Sequence, residues 1–374
     1  GKKEICMKIG IMLRHINELG GIVVYTKNII ENLLEIDKKN KYVFLYNDPS
    51  LLGTYSKYKN VKEVVISFQN KLLWDQIGVP RVVRSEKIDI IFNPKLSIPL
   101  FAPAKKIFTL PGLEQFVLPN VFRWYDRLSS RIMSPLYCRR ANAIIVMTET
   151  ARTNLKKYLN VSDDKIKVIY ASHHERFEVI KNKKDLLAIK QKYNLPENYI
   201  FFIGGITPLK NFSNIIKAFK IIKDKIPVKL VMAGFKRWKY TSDLELIKKL
   251  ELQDDVINLG FVPDDDLPYL YSSARCLLFP SLYEGFGIPI LEAHASGCPV
   301  ICSKTGCTPE VSGRAALLVN PYDYKEIAKA VYDILNDMDL KEKLVVSGLD
   351  NIKRFSWSKN ARQTLELFEK TYRS

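Results

Sequence analysis

The chain has 374 residues, 47% hydrophobic and 26% charged, with a net charge of +18, which excludes a disordered chain and makes two cores the expectation rather than one. Residues 1–175 hold 28 Lys and Arg against 16 Asp and Glu, so the first half is the one expected to meet an anionic surface. The longest apolar runs, such as 143–147 and 276–279, fall far short of the about 20 residues that a spanning helix needs, and the start GKKEICMKIGIML carries no signal-peptide cleavage site.

In chain order, residues 7–12 read as a strand, GGIVVYTKNIIENLLEI as an amphipathic helix, and KYVFLY, IDIIFNP, KKIFTL and ANAIIVMT as further strands. Their apolar runs are continuous, as in a parallel sheet covered on both faces. The pattern pauses in the polar, lysine-rich stretch FEVIKNKKDLLAIKQKYNLPEN. It resumes with YIFFIGG, a helix with apolar positions at 212, 215, 216, 219, 222 and 226, and the strands VKLVMAG, DVINLGF, CLLFP, PVICS and AALLV. Two doubly wound α/β domains joined near residues 178–196 follow from this alternation, one over 1–178 and one over 179–356.

Six cysteines without a C-x-x-C pair read as reduced, buried thiols of a cytoplasmic protein, including the three at 298, 302 and 307. Asp264, Asp265 and Asp266 precede LPYLY and read as the acidic start of a helix rather than a metal site. His173 and His174 lack a partner spacing, and His294 reads as packing. The basic stretch RVVRSEK lacks aromatic interleaving, so no nucleic-acid partner is expected.

Parallel sheets bind ligands at the carboxyl ends of their strands, and three loops there stand out. In NELGGIVVY, Gly20 and Gly21 open the first helix to an approaching ligand. In FIGGITPLKNFSN, Gly204 and Gly205 precede Lys210 and Asn211, placing a cation beside unpaired amides as a diphosphate requires. In FPSLYEGFGIPILEAHASGCPVI, Glu284 lies in a loop and Glu292 about one turn into a helix whose first turn holds Pro289. Carboxylates so placed can accept from paired sugar hydroxyls while the amides hold phosphate, so a sugar nucleotide fits.

That last segment resembles the signature of the retaining glycosyltransferases of family 4. The family has the GT-B fold: two facing Rossmann-like, doubly wound α/β domains with the active site in the interdomain cleft. The similarity extends to GGIVVYTKNIIENL, LLWDQIGVP, IDIIFNP, FIGGITPLKN, PEVSGRAALLVNP and RFSW, and to LGFVPDDDLPYLYSSARCLLFPS, whose Val262 falls at the nucleobase edge. The resemblance implies that Glu284 contacts the donor sugar's hydroxyls, that Phe286, Gly287 and Ile288 meet sugar and phosphate through backbone, that Glu292 holds the ribose and that Lys210 pairs with the diphosphate. It also implies that residues 357–374 form a helix returning to the N-terminal, acceptor-side domain. Two features depart from the family: Pro111 and Gly112 stand where a His-Asp pair is common, and Leu209 where an arginine is common, with Glu114 and His15 as candidate substitutes for the histidine.

The expected function is retaining, metal-independent transfer of a hexose from a UDP- or GDP-sugar to a glycan or lipid-linked acceptor in polysaccharide synthesis, with no cofactor besides the donor. A sugar-nucleotide epimerase or hydrolase on the same fold, or a non-catalytic sugar-nucleotide or glycan-binding protein, remains the alternative. Lys105, Lys106, Arg123, Arg127, Arg131, Arg139 and Arg140 share residues 105–140 with Phe116, Val117, Leu118, Val121, Phe122 and Trp124. Two readings stay open: a peripheral contact with an anionic membrane, or core aromatics under a solvated basic face. Oligomeric state has no signature in the sequence.

Overall fold

A computed structural model describes residues 6–234 and 241–374; the N-terminal Lys2 and Lys3 of the basic start lie outside the described residues. The chain divides into two compact units, one of Gly1–Ala171 with Ser356–Ser374 and one of Ser172–Phe355.

The first unit holds β1 (Lys8–Met12), β2 (Lys41–Tyr46), β3 (Val61–Val65), β4 (Ile90–Asn93), β5 (Lys105–Leu110), β6 (Ala143–Val146) and β7 (Ile166–Val168). They form one sheet in the order β3-β2-β1-β4-β5-β6-β7, with every pair parallel and β1 seated between β2 and β4 through Ile9↔Tyr42 and Ile9↔Ile90. Ile9, Ile11, Val43, Phe44, Ile91 and Phe92 are sealed from solvent, which explains their unbroken apolar runs. The edge strand β3, VKEVV, has exposed Lys62 and no such run.

The second unit repeats the plan with β8 (Tyr199–Ile203), β9 (Lys229–Ala233), β10 (Val256–Asn258), β11 (Cys276–Phe279), β12 (Val300–Ser303) and β13 (Ala316–Val319) in the order β10-β9-β8-β11-β12-β13. In each sheet the strand order reverses once, at β1/β4 and at β8/β11, and the crevice beyond such a reversal is where doubly wound sheets bind ligands. The helix Phe212–Lys223 buries Phe212, Ile215, Ile216, Phe219 and Ile222 against Phe202, Leu230 and Leu278, each such side chain contributing about 1.5–3 kcal/mol.

The division falls after Ala171, and the polar stretch expected to join the domains is not a linker. It contains the helix Lys183–Lys192, part of the second unit, capped by the Asn182 side chain and burying only Ile189. A helix with a one-residue apolar face gives no periodic signal. The Trp357–Arg373 helix belongs to the first unit: Ser356 caps it, Trp357 meets Tyr25 at 5.8 Å between ring centroids, Phe368 meets Phe92 at 5.3 Å, and Asn360 Nδ2 donates to the Tyr170 carbonyl at 2.7 Å. Among the described residues, no helix is long and apolar enough to cross a membrane.

Candidate active site

The loops after β8 and β11, the strands flanking the second reversal, meet each other. The Leu282 N–H donates to the Leu209 carbonyl at 2.8 Å, which brings Lys210 and Glu284, 74 residues apart, into a 2.6 Å ion pair between Nζ and Oε1. The Lys210 ammonium also lies 4.6 Å from the centroid of the Phe279 ring, the last residue of β11, a cation–π contact. Gly204 leaves room for this arrangement: its φ is +137°, and a Cβ there would stand 3.2 Å from Lys210 Cε. Asn211 points elsewhere. Its side-chain amide is buried and donates to the carbonyls of Pro280 and Pro321, and its backbone N–H donates to the Pro208 carbonyl at 3.2 Å, so it locks the loop.

The Glu284 loop ends at Gly287, whose φ of +94° turns the chain into the helix Ile288–Ala295 without a side-chain cap. In its first turn Pro289 has no N–H and the Ile290 N–H donates to the Gly287 carbonyl at 2.9 Å, so the Ile288 N–H is the amide that points out of the helix with its positive end. The Cys307 thiol donates to the carbonyls of Glu284 and Phe286 at 3.2 and 3.4 Å, and the Phe286 ring packs on Phe355. Glu292 is only 7% exposed and its Oε2 accepts from the Tyr271 hydroxyl at 2.8 Å. Burial pushes its carboxyl up from 4.5 to about 7; the Tyr271 hydrogen bond opposes this, Asp264 adds to it, and Arg176 opposes it.

The remaining expected positions are placed as follows. Gly20 and Gly21 are exposed at the start of the uncapped helix Gly21–Ile36 in the first unit, with no acidic residue in its first turn. Val262 is buried beyond β10. His15, beyond β1, is buried and pushed down to about 4 chiefly by burial, with Lys95 next. Thr26 donates its hydroxyl proton to the Ile22 carbonyl, so His15 Nε2, 2.8 Å from Thr26 Oγ1, must be the donor there. Pro111 and Gly112 are half-buried beyond β5. Asp266 does stand at the start of the helix Leu267–Ser273, but its carboxylate accepts from Lys192 and Tyr193 instead of capping it, and Asp265 pairs with Arg176. Five of the six cysteines are buried and all six are free; burial raises the Cys276 and Cys302 thiols to about 12. Among the described residues, no group of three His, Cys, Asp or Glu could hold a metal ion.

Two contributors went unseen in the sequence. Phe279 ends a buried strand and reads there as core, although an aromatic in the last position before a ligand loop was a usable signal. Tyr271 sits 21 residues before Glu292 on another helix, with no spacing to betray the pairing.

Residues 19–171 match the family Glycosyltransferase Family 4 and residues 184–350 match Glycosyl transferases group 1. The O-antigen chain mannosyltransferase RfbU of Salmonella typhimurium is 30% identical over 331 residues, 88% of this chain and 80% of that protein. The chain belongs to glycosyltransferase family 4. Another relative of this glycosyltransferase is O-antigen chain mannosyltransferase B of Escherichia coli, 31% identical over 232 residues that make up 61% of each protein. The serotype-specific mannosyltransferase WbdA of the same species is matched over 29% of its length at 30% identity. The chain thus spans less than two thirds of these two relatives. Anabaena HepE, solved with UDP and glucose, aligns with a TM-score of 0.78 at 18% identity over 97% of this chain and 100% of that one. The sucrose-phosphate synthase of Thermosynechococcus elongatus aligns at 0.79 and 18%, over 98% and 99%. These likenesses establish the fold of the glycosyltransferase as GT-B.

Proposed function

We propose that this glycosyltransferase moves a hexosyl group, mannose on the names its relatives carry, from a UDP- or GDP-linked donor to a hydroxyl of a glycan or lipid-linked acceptor in polysaccharide synthesis. Transfer retains the anomeric configuration, needs neither metal nor cofactor, and takes place at the cytoplasmic face of a membrane. The observation that carries the reading is the Lys210–Glu284 pair at the β8/β11 reversal, with the uncapped helix start at Gly287 beside Glu284 and buried Glu292 one turn further on.

In this reading the amides at Gly205, Gly287 and Ile288 receive the diphosphate, with Lys210 as its cation and Gly204, whose N–H donates to the Ala233 carbonyl, keeping the space beside it open. Glu284 accepts from the sugar hydroxyls, and Glu292 Oε1 accepts from the ribose while Tyr271 holds Oε2. As the bond between the anomeric carbon and the phosphate oxygen lengthens, charge grows on the leaving diphosphate. Lys210, the loop amides and the helix start stabilise it, the type of term that usually dominates such catalysis. The acceptor oxygen bonds to the anomeric carbon on the face the phosphate leaves, and its proton passes to a phosphate oxygen. The test is incubation of the purified protein with GDP-mannose and UDP-hexoses, with and without saccharide acceptors, reading glycoside product and free diphosphate. Transfer supports the proposal. Donor affinity without product, or epimerisation or hydrolysis alone, overturns it in favour of a binding protein or another enzyme.

A further inference from the structure

The helix Trp124–Arg140 presents two opposed faces. Ser134, Tyr137 and Cys138 are buried, with Tyr137 and Cys138 in the core that also takes up Met133 and Phe116. At 3.6 residues per turn, Trp124, Leu128, Ile132 and Leu136 repeat every four positions and form a stripe roughly opposite that anchor. The stripe faces solvent: Trp124 is 68% exposed, Leu128 50% and Ile132 53%, and Tyr125 is exposed beside them. Phe101, also exposed, continues the apolar surface, with the Arg140 guanidinium 5.7 Å from its ring. Thus Trp124 is no core residue under a basic face.

The stripe's charged neighbours have one sign. Arg127, Arg131, Arg139 and Arg140 have no carboxylate partner among the described residues, and the single acid within the helix is Asp126. An apolar stripe with a tryptophan at one end and unpaired guanidiniums along it matches the interior and the headgroups of an anionic bilayer in one stroke. A protein partner fitting it would need an apolar ridge flanked by acids. The first unit of this chain, with 32 basic and 17 acidic residues over 1–171 and 356–374, is not such a surface for a second copy.

We infer that the Trp124–Arg140 helix is an interfacial anchor that seats the first unit on a bilayer of anionic phospholipid. The inference rests on the proposed function only in the choice of a membrane-borne acceptor; the anchor itself is independent of donor or sugar.

The test is co-sedimentation of the whole protein with vesicles of phosphatidylcholine containing 0, 20 or 40% phosphatidylglycerol at low and high salt. Binding should rise with the anionic lipid and fall with salt, whose screening shortens the reach of exposed charges. Trp124→Ser with Ile132→Ser should lower partitioning at least tenfold, and Arg127→Gln with Arg131→Gln about fivefold for each charge withdrawn. Trp124, Arg131 and Ile132 are exposed and Arg127 is half-buried, and both variants should keep the wild-type melting temperature and transfer to a water-soluble acceptor. No binding to 40% anionic vesicles at low salt, or binding that neither variant alters, overturns the anchor. A concentration-dependent dimer lost in the Trp124→Ser, Ile132→Ser variant assigns the stripe to a second copy and also overturns it. An inactive protein that still binds vesicles in this pattern would sink the proposed function and leave the anchor standing.

Discussion

Replacing Glu292 by Gln separates the charge of that side chain from its shape. The carboxyl is buried and raised from 4.5 to about 7, so the folded protein holds its proton more tightly than the unfolded chain does. A difference of that size corresponds to about 3 kcal/mol. Because the folded value is the higher one, the contribution is fully present below pH 4.5 and is lost as pH rises through 7. Wild type should therefore lose up to about 3 kcal/mol through this group between pH 4.5 and 8. The Gln variant keeps an oxygen for the Tyr271 hydroxyl and cannot ionise, so it should lose none. The assay is urea unfolding of both proteins at pH 5 and pH 8, taking the difference between them so that every other titration cancels. Near-equal stabilities at pH 5 and a variant more stable by about 2–3 kcal/mol at pH 8 are expected. A gap that does not change with pH refutes the reasoning.

In the proposed function Glu292 accepts from the ribose, whose hydroxyls favour the ionised carboxylate, so nucleoside-diphosphate affinity should increase from pH 6 to 8, with proton release detected by calorimetry in buffers of different ionisation enthalpy. Lys210→Ala should lower kcat by at least about 100-fold with an unchanged melting temperature, since one charge on a leaving group is worth roughly 3 kcal/mol or more; wild-type kinetics would remove Lys210 from the mechanism. Glu284→Gln releases Lys210 from its 2.6 Å partner, so it should tighten nucleoside-diphosphate binding while transfer falls, and weaker binding would show that the pair helps the phosphate. Phe279→Leu removes the ring under the ammonium and should cost about 0.5–2 kcal/mol of transition-state stabilisation, roughly 2- to 30-fold in kcat, with Phe279→Tyr restoring most of it. EDTA should leave transfer unchanged; a strict manganese requirement would contradict metal-free chemistry.

What the sequence disclosed depended on local pattern. Strands such as YIFFI and CLLF, buried on both faces, announce themselves as continuous apolar runs, and the two loops that carry Lys210 and Glu284 stand out because glycines and charges follow such runs directly. Edge strand β3 and the helix Lys183–Lys192 are half-solvated and looked like connecting chain. Relations between distant segments were invisible: that Lys210 reaches Glu284, that Tyr271 holds Glu292 and that Asn211 is consumed by the carbonyls of Pro280 and Pro321 depend on which strands become neighbours. The Trp124 stripe was readable as composition, but only its packing decides which side of the helix faces water.

The helix Trp357–Arg373 carries a consequence for biosynthesis. It makes the first unit discontinuous, with its sheet drawn from residues 8–168 and one of its covering helices delivered only by residues 356–374. The second unit is contiguous and can finish while the ribosome is still translating; the first cannot, since a contact such as Asn360 with Tyr170 closes 190 residues of chain. Until then Tyr25 and Phe92 lack the rings that cover them, and the nascent protein presents that apolar surface to chaperones or to other chains. A premature stop just before Ser356 would thus yield a sticky, unfinished first unit beside a finished second one, rather than a slightly shorter enzyme.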